Sequence, residues 1–271
     1  MKQDDFFHEV VSFLTLTCGI ECMTTLPATF IDYPDFTVVL GGDGTVLAAG
    51  RKGLANPFVV INTGHLGFLT SSDKENYRDA LLRFVQGTYT LTKRRTLRVR
   101  VPDFSPTKEP RMFDAVNEVV VKHPSKLVKV AVYVSEDPGE WNDPSFSQST
   151  KAELLSEYRV DGLIVSTPTG STAYNVSAGG PIIHPACDSF VITPICPQGL
   201  TQRPLVIPGN MKIRIKPLDC EMFVTVDGQD GSQVLGAVDV WYNAHTIETV
   251  NPLDTYFQIL RKKLGWGIKP V

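Results

Sequence analysis

No run of about 18 consecutive apolar residues occurs in the 271-residue chain, so no helical membrane span is expected. Basic residues are not in excess. Twenty-six Lys and Arg stand against 29 Asp and Glu, a net charge of −3, and no global positive field draws the chain to nucleic acid or to an anionic membrane. After Lys2 come Asp4, Asp5 and His8, with no small-residue cleavage site, so no secretory signal is expected. Cysteine is sparse, scattered and odd in number (Cys18, Cys22, Cys187, Cys196, Cys220), which argues against a disulfide framework. A reducing compartment fits, with the cytoplasm as the expected location and an organelle matrix as the other option. Cys18 and Cys22 lie four apart in a helical stretch, but no His or Cys pair follows at metal-ligand spacing, and they read as core thiols. No internal repeat is found. A hydrophobic content of 42% against 20% charged residues fits a globular protein with a real core.

The chain is organised around Thr37 to Leu47. Thr37–Leu40 is a short β-branched run that reads as a buried strand. Gly41, Gly42 and Gly44 then break it, giving freedom at positive φ and no Cβ to block a ligand. From Thr45 onward Val46, Leu47, Ala48 and Ala49 predict a helix. Strand, glycine turn and helix together aim backbone N–H groups at an anion, most often a phosphate. Asp43 would repel that anion, so it needs a reason: to hold a Mg²⁺ bridging phosphates, to take the proton of an attacking hydroxyl, or simply to close an Asx-turn in its own loop. No Gly-Lys-Ser/Thr follows, which excludes a Walker A loop, and Leu47 stands where the dinucleotide fingerprint needs its third glycine.

The remaining pattern divides the chain. Residues 4–18 predict a helix stopped at Gly19, residues 57–62 a second buried strand, and residues 74–86 an amphipathic helix. Two strand–loop–helix units imply parallel strands with ligands at their C-terminal ends. After residue 89 alternation takes over, with strands expected at 91–101, 113–121, 127–134, 160–166, 203–207, 211–216, 222–227 and 233–241. The expected organisation is an α/β domain over 1–90, an all-β, sandwich-like domain over 91–252 with a polar hairpin insertion at 135–156, and a tail over 253–271 packing back on the first domain. The basic cluster Arg261-Lys262-Lys263 in that tail reads as a solvated face, and His65 as a loop histidine bonded to backbone.

Two further stretches carry chemistry. Asn117-Glu118 interrupts an apolar strand, and because successive side chains point to opposite faces, at least one of the two turns inward and needs a partner. Asp161 to Pro181 runs from a buried strand into Thr169, Ser171 and Thr172, whose hydroxyls can cap a short helix opening at about Thr172. Its small residues Ala173, Ser177, Ala178 and Gly179 let a flat ring lie close, and Tyr174 offers a face or a hydroxyl. Capping and tight packing explain any one Ser or Thr. The whole run suggests a nucleoside site.

The Gly-Gly-Asp-Gly-Thr loop resembles one shared by NAD kinases, by diacylglycerol and sphingosine kinases, and more distantly by phosphofructokinases. With Asn62–Phe68, Asn117-Glu118 and the Thr-Pro-Thr-Gly-Ser-Thr-Ala-Tyr-Asn run of 167–175 in the same order, the chain resembles the NAD kinase family over most of its length. The resemblance implies a homo-oligomer, dimer or tetramer, that transfers the γ-phosphoryl of ATP (or polyphosphate) with Mg²⁺ to the 2′-hydroxyl of the NAD adenosine ribose. It implies that Asp43 is the proton acceptor and an NAD contact with Gly44 beside it, and that Gly41, Gly42, Gly44, Thr45 and Arg159 face the phosphates. It further implies that Asn117, Glu118, Asp161, Thr172, Ala173, Tyr174, Asn175, Val176, Ser177 and Gln229 contact NAD, and that Cys196 and Gln198 approach a neighbouring subunit's NAD. It offers no dedicated protein metal site. Family members usually begin with a strand, whereas this sequence starts almost directly at the helix after Met1 to Gln3; either the first strand is absent or the chain is a truncated or alternative product, and an incomplete first sheet is expected. A lipid or sugar kinase sharing the loop, and a non-catalytic NAD(P)-binding module, are the rival readings.

Overall fold

A computed structural model describes residues 3–24, 34–65, 67–102, 109–136, 152–252 and 254–265, with backbone alone at 3 and 230–232. In chain order the elements are α1 (Gln3–Ser12), β1 (Thr37–Leu40), α2 (Asp43–Arg51), β2 (Phe58–Ile61), α3 (Tyr77–Val85), β3 (Leu91–Val101), β4 (Arg111–Ala115), β5 (Glu118–Lys122) and β6 (Val128–Ser135). They continue with β7 (Glu153–Val160), β8 (Gly162–Ser166), α4 (Tyr174–Ser177), β9 (Ser189–Ile195), β10 (Leu205–Pro208), β11 (Lys212–Pro217), β12 (Met222–Val226), β13 (Gln229–Val234), β14 (Val238–Val250) and α5 (Tyr256–Leu264). Contacts divide the chain into two units, Met1–Lys93 with Ile247–Val271, and Arg94–Thr246.

The first unit is α/β. β1 and β2 pair in parallel with Thr37 opposite Phe58 and Leu40 opposite Ile61, and the end of β14 joins β2 in parallel at Thr249. All four side chains of β2 are buried, as expected for the middle of a parallel sheet. Phe6, Val10, Leu14, Val59, Ile61, Tyr77, Leu81 and Val250 form its core. The first helix is α-helical only to Ser12; Phe13–Thr17 continues as a π turn, with the Cys18 N–H donating to the Phe13 carbonyl at 3.2 Å. Gly19, with φ of +68°, ends it.

The second unit is a pair of antiparallel sheets. One has the order β10-β9-β8-β5-β12-β13; in the other β11 lies between β14 and β6, β6 pairs with β7, and β3 joins β4 and β14. The alternating apolar residues of both sheets, among them Leu97, Val99, Val119, Val121, Val130, Leu163, Phe190, Ile213 and Val240, meet in one core.

Several expectations are corrected. The strand expected at 113–121 is two, β4 and β5, because the Asp227 carboxylate takes the N–H groups of Val116, Asn117 and Glu118 at 3.0, 2.8 and 3.3 Å and the ladder breaks there. The run at 233–241 belongs to two strands, with 235–237 between them. β7 and β9 are additional. Of the segment expected as an insertion at 135–156, residues 137–151 lie outside the described residues, and Glu153–Ser156 opens β7. The region 25–33 and the end beyond 265 lie outside them too.

Candidate active site

In the first unit the glycine loop follows β1 and leads into α2. The helix begins at Asp43, two residues earlier than expected, because Gly42 is extended (φ −97°, ψ −169°) and its carbonyl accepts the Thr45 and Val46 N–H groups at 3.0 and 3.3 Å. None of Gly41, Gly42 or Gly44 has positive φ. Their role is space. A Cβ at Gly41 would collide with the Thr45 side chain, while Gly42 and Gly44 leave open room beside the start of α2. The helix N-terminus carries unsatisfied N–H groups and a positive dipole end.

Asp43 bonds outside its own loop. Its Oδ2 accepts the Phe68 N–H and its Oδ1 the Leu69 N–H, both at 3.0 Å, so the carboxylate is locked to the turn after β2. A Cβ at Gly67 would strike that carboxylate, so the close approach needs glycine. Asn62 organises the same turn: its Oδ1 accepts the Gly64 N–H at 2.9 Å and its Nδ2 donates to the His65 carbonyl at 2.7 Å. His65 thus enters through its backbone. Lys263 of α5 completes the cluster, its Nζ 3.0 Å from Asp43 Oδ2 and 4.6 Å from the centre of the Phe68 ring. Sequence reasoning missed Lys263, because a basic residue in the last turn of a helix is ordinarily a solvated one. The usable signal is spacing: Lys263 stands four after Ile259 and three after Leu260, both buried, and so lies on the packed side of α5.

In the second unit Asn117 and Glu118 sit where β4 gives way to β5. Glu118 is 5% exposed, and its Oε2 has no partner among the described residues. Burial first, and then the nearby Asp227 charge, push its carboxyl up from about 4.5 to about 7. Asn117 is half-buried, and its carbonyl accepts the Thr167 N–H at 2.9 Å. A Cβ at Gly170 would collide with that carbonyl, which fixes the 167–170 turn against Asn117. Asp227, at φ of +49°, is the residue sequence reasoning left without a role. An Asp-Gly step at a strand end is its only signal in the sequence, and its three amide partners lie some hundred residues earlier.

The run after β8 is a 3₁₀ turn, Gly170–Thr172, followed by the four-residue α4. The Thr169, Ser171 and Thr172 hydroxyls do not cap; the Thr167 hydroxyl instead accepts the Gly170 N–H at 3.0 Å where the 3₁₀ turn starts. Ser171 Oγ donates to the Pro168 carbonyl at 2.7 Å and accepts the Ile183 N–H at 2.9 Å, and Thr172 Oγ1 donates to the Thr169 carbonyl at 3.3 Å. Asn175 is fully buried and engaged within the fold. Its Nδ2 donates to the carbonyls of Ser171 and Pro181 at 3.0 Å each, and its Oδ1 accepts the Thr193 hydroxyl at 2.6 Å. Tyr174 and Ser177 are exposed, with Thr172, Ala173 and Val176 half-buried. Arg159, Asp161, Cys196 and Gln198 share one corner: the Asp161 N–H donates to the Ile195 carbonyl at 3.0 Å and the Gln198 N–H to the Arg159 carbonyl at 2.9 Å. All four residues are exposed, Cys196 with φ of +46°. Gln229 is exposed at the start of β13. Among the described residues no group of three or more His, Cys, Asp or Glu could hold a metal ion.

Two sequence models match, the ATP-NAD kinase N-terminal domain over residues 21–89 and the ATP-NAD kinase C-terminal domain over residues 117–251. A NAD kinase of Chlorobium phaeobacteroides is 37% identical over 239 residues, covering 86% of this chain and 78% of that protein. A NAD kinase of Geotalea daltonii is 36% identical over 240 residues, with 86% and 79% covered. The crystal structure of yeast NADH kinase complexed with NADH is similar with a TM-score of 0.75 at 26% identity, covering 88% of this chain and 68% of that one. A NAD kinase from Archaeoglobus fulgidus in complex with ATP shares the fold, with a TM-score of 0.72 at 24% identity and 95% and 93% covered. With both domain models matched in order on a chain that carries Asp43 locked at a helix N-terminus and Glu118 buried beside Asp227, this chain belongs to the ATP-NAD kinase family.

Proposed function

We propose that the chain transfers the γ-phosphoryl of ATP to the 2′-hydroxyl of the adenosine ribose of NAD, making NADP. One observation carries this reading: the Asp43 carboxylate, within the glycine loop, is held from outside that loop by the amides of Phe68 and Leu69, at the start of α2. A carboxylate held rigidly beside a phosphate-favouring helix end suits the group that orients a hydroxyl and takes its proton. The donor phosphates lie against the open space at Gly42 and Gly44, with Thr45 and the α2 dipole behind them. Phosphoryl transfer needs little covalent help from protein, so positioning and charge carry most of the rate.

Acceptor recognition falls to the second unit. Glu118, with one oxygen unpartnered, and Asn117 suit hydroxyl or amino groups of a nucleoside. Tyr174 and the small residues around it offer a flat surface, with Asp161, Arg159 and Gln229 as exposed polar contacts. Asn175 serves by holding the 171–181 loop in shape. Mg²⁺ enters with ATP, neutralising its phosphates, and the described residues offer no cluster of their own for it. A homodimer or homotetramer, with Cys196 and Gln198 at the subunit contact, and a cytoplasmic location complete the reading; five free thiols favour a reducing compartment.

The test is NADP formation from NAD with Mg-ATP, read by an NADP-specific dehydrogenase, with NADH and polyphosphate tried as alternative acceptor and donor. Asp43→Asn is expected to lose roughly 10²–10⁴-fold in turnover while still binding NAD. Near-normal turnover would remove Asp43 from that role, and a folded wild type that binds NAD without forming NADP would favour the binding-module reading.

A further inference from the structure

Asp43 carries more than its two amide bonds. The Lys263 ammonium sits 3.0 Å from Asp43 Oδ2, and the side chains of the pair are only 31% and 28% exposed. The same ammonium lies 4.6 Å from the Phe68 ring centre, over the residue whose N–H donates to that same oxygen. α5 aims Lys263 inward through Ile259 and Leu260, and its first turn is closed by a capping box at Thr255 and Gln258. The neighbouring Lys262 instead pairs with Asp254 at 2.5 Å. Two amides already fix both oxygens of Asp43, so orientation alone does not call for the cation. What the cation supplies is charge.

We propose that Lys263 is a second catalytic residue of the phosphoryl transfer, its ammonium passing from Asp43 to the transferred phosphoryl group as Asp43 takes the acceptor's proton. The inference rests on Asp43 being the proton acceptor. Before reaction Asp43 and Lys263 form a neutral pair, which removes the repulsion a bare carboxylate would exert on an incoming polyphosphate. In the transfer a bond forms between the acceptor oxygen and the γ-phosphorus, and the bond from that phosphorus to the bridging oxygen breaks. ADP leaves with the electron pair, and the hydroxyl proton moves to Asp43. Asp43 is then neutral. Lys263 keeps its charge, loses its counter-ion and faces the negative oxygens of the phosphoryl group. Its attraction to those oxygens is stronger in the transition state than in the ground state, and such an interaction raises kcat.

The experiment measures NADP formation with Mg-ATP by the full chain and by Lys263→Met, Lys263→Arg, Asp43→Asn, Lys262→Met and the double variant Asp43→Asn/Lys263→Met. Lys263→Met is expected to lower kcat by about 10²–10³-fold with the KM for NAD held within about twofold. Lys263→Arg keeps the charge and should recover most of the loss; Lys262→Met should match the wild type. The double variant should be no slower than the slower single, as for two groups acting as one unit. A Lys263→Met enzyme with wild-type kcat, or Met and Arg variants equally impaired, overturns the proposal. An unimpaired Asp43→Asn enzyme instead sinks the assignment of Asp43, and an inactive wild type sinks the kinase reading on which the proposal rests; each of these failures is read from different tubes than the Lys263 result. Thermal melts report folding; if Lys263→Met melts early, Lys263→Gln assayed below its melting temperature carries the same test.

Discussion

Glu118 ties the chemistry of one residue to the stability of the whole. Burial and the Asp227 charge hold its carboxyl near 7 in the folded chain, against about 4.5 when exposed. Below 4.5 both states are protonated and it costs nothing. Between 4.5 and 7 the native state keeps a proton that the unfolded chain has lost, so stability falls as pH rises; above 7 the penalty is complete. A shift of this size is worth on the order of 3 kcal/mol. Glu118→Gln is therefore expected to melt higher than wild type at pH 8, with the gap closing as pH drops toward 4.5, as followed by thermal denaturation at several pH values. A gap independent of pH would show that Glu118 ionises freely. At this scale the sequence is legible where a residue is out of place. A polar pair inside an apolar run announced Asn117 and Glu118, and Asp43 stood out among glycines. Asp227 and Lys263 did not stand out, because each is ordinary where it lies and acquires its role from partners far away in the chain.

Among the elements, α5 depends most on a local device. Thr255 Oγ1 accepts the Gln258 N–H at 3.3 Å while Gln258 Oε1 accepts the Thr255 N–H at 2.7 Å. Thr255→Ala should cost about 1 kcal/mol in urea denaturation, with Thr255→Ser restoring most of it; an unchanged midpoint would show that α5 is held by Ile259 and Leu260 alone. Helices and parallel strands of the first unit were legible because their apolar periods are strong. β9 was not, since Thr193-Pro194 reads as a break, and β7 was not, since its Glu and Ser residues read as loop. β7 tolerates them because, among the described residues, it pairs with β6 alone and keeps exposed side chains along its length.

For the whole molecule, the two units are unequal. The sandwich buries a long continuous set of aliphatic side chains from both sheets, whereas the α/β unit relies on a short set around Phe6, Val59 and Leu81. Amides of β1 and β2 are expected to exchange through openings of lower free energy than those of β5, β8 and β9, measured by native-state hydrogen exchange; equal protection would mean that the units open together. The two-part division was legible from the change in alternation near residue 89, while the division of β14 between the units was not, since nothing in its composition changes along Val238–Val250.

That strand also sets an order of events. Phe58 waits for Thr249, the Ser71 hydroxyl for the Val250 carbonyl, and the Thr90 carbonyl for the Asn251 N–H. As the chain leaves the ribosome, the glycine loop emerges early, but the strand that completes its sheet and the lysine that neutralises its aspartate emerge only after the entire sandwich has been made. A nascent or stalled chain therefore displays the loop with Asp43 uncompensated, and the glycine-loop end of the first unit is assembled last.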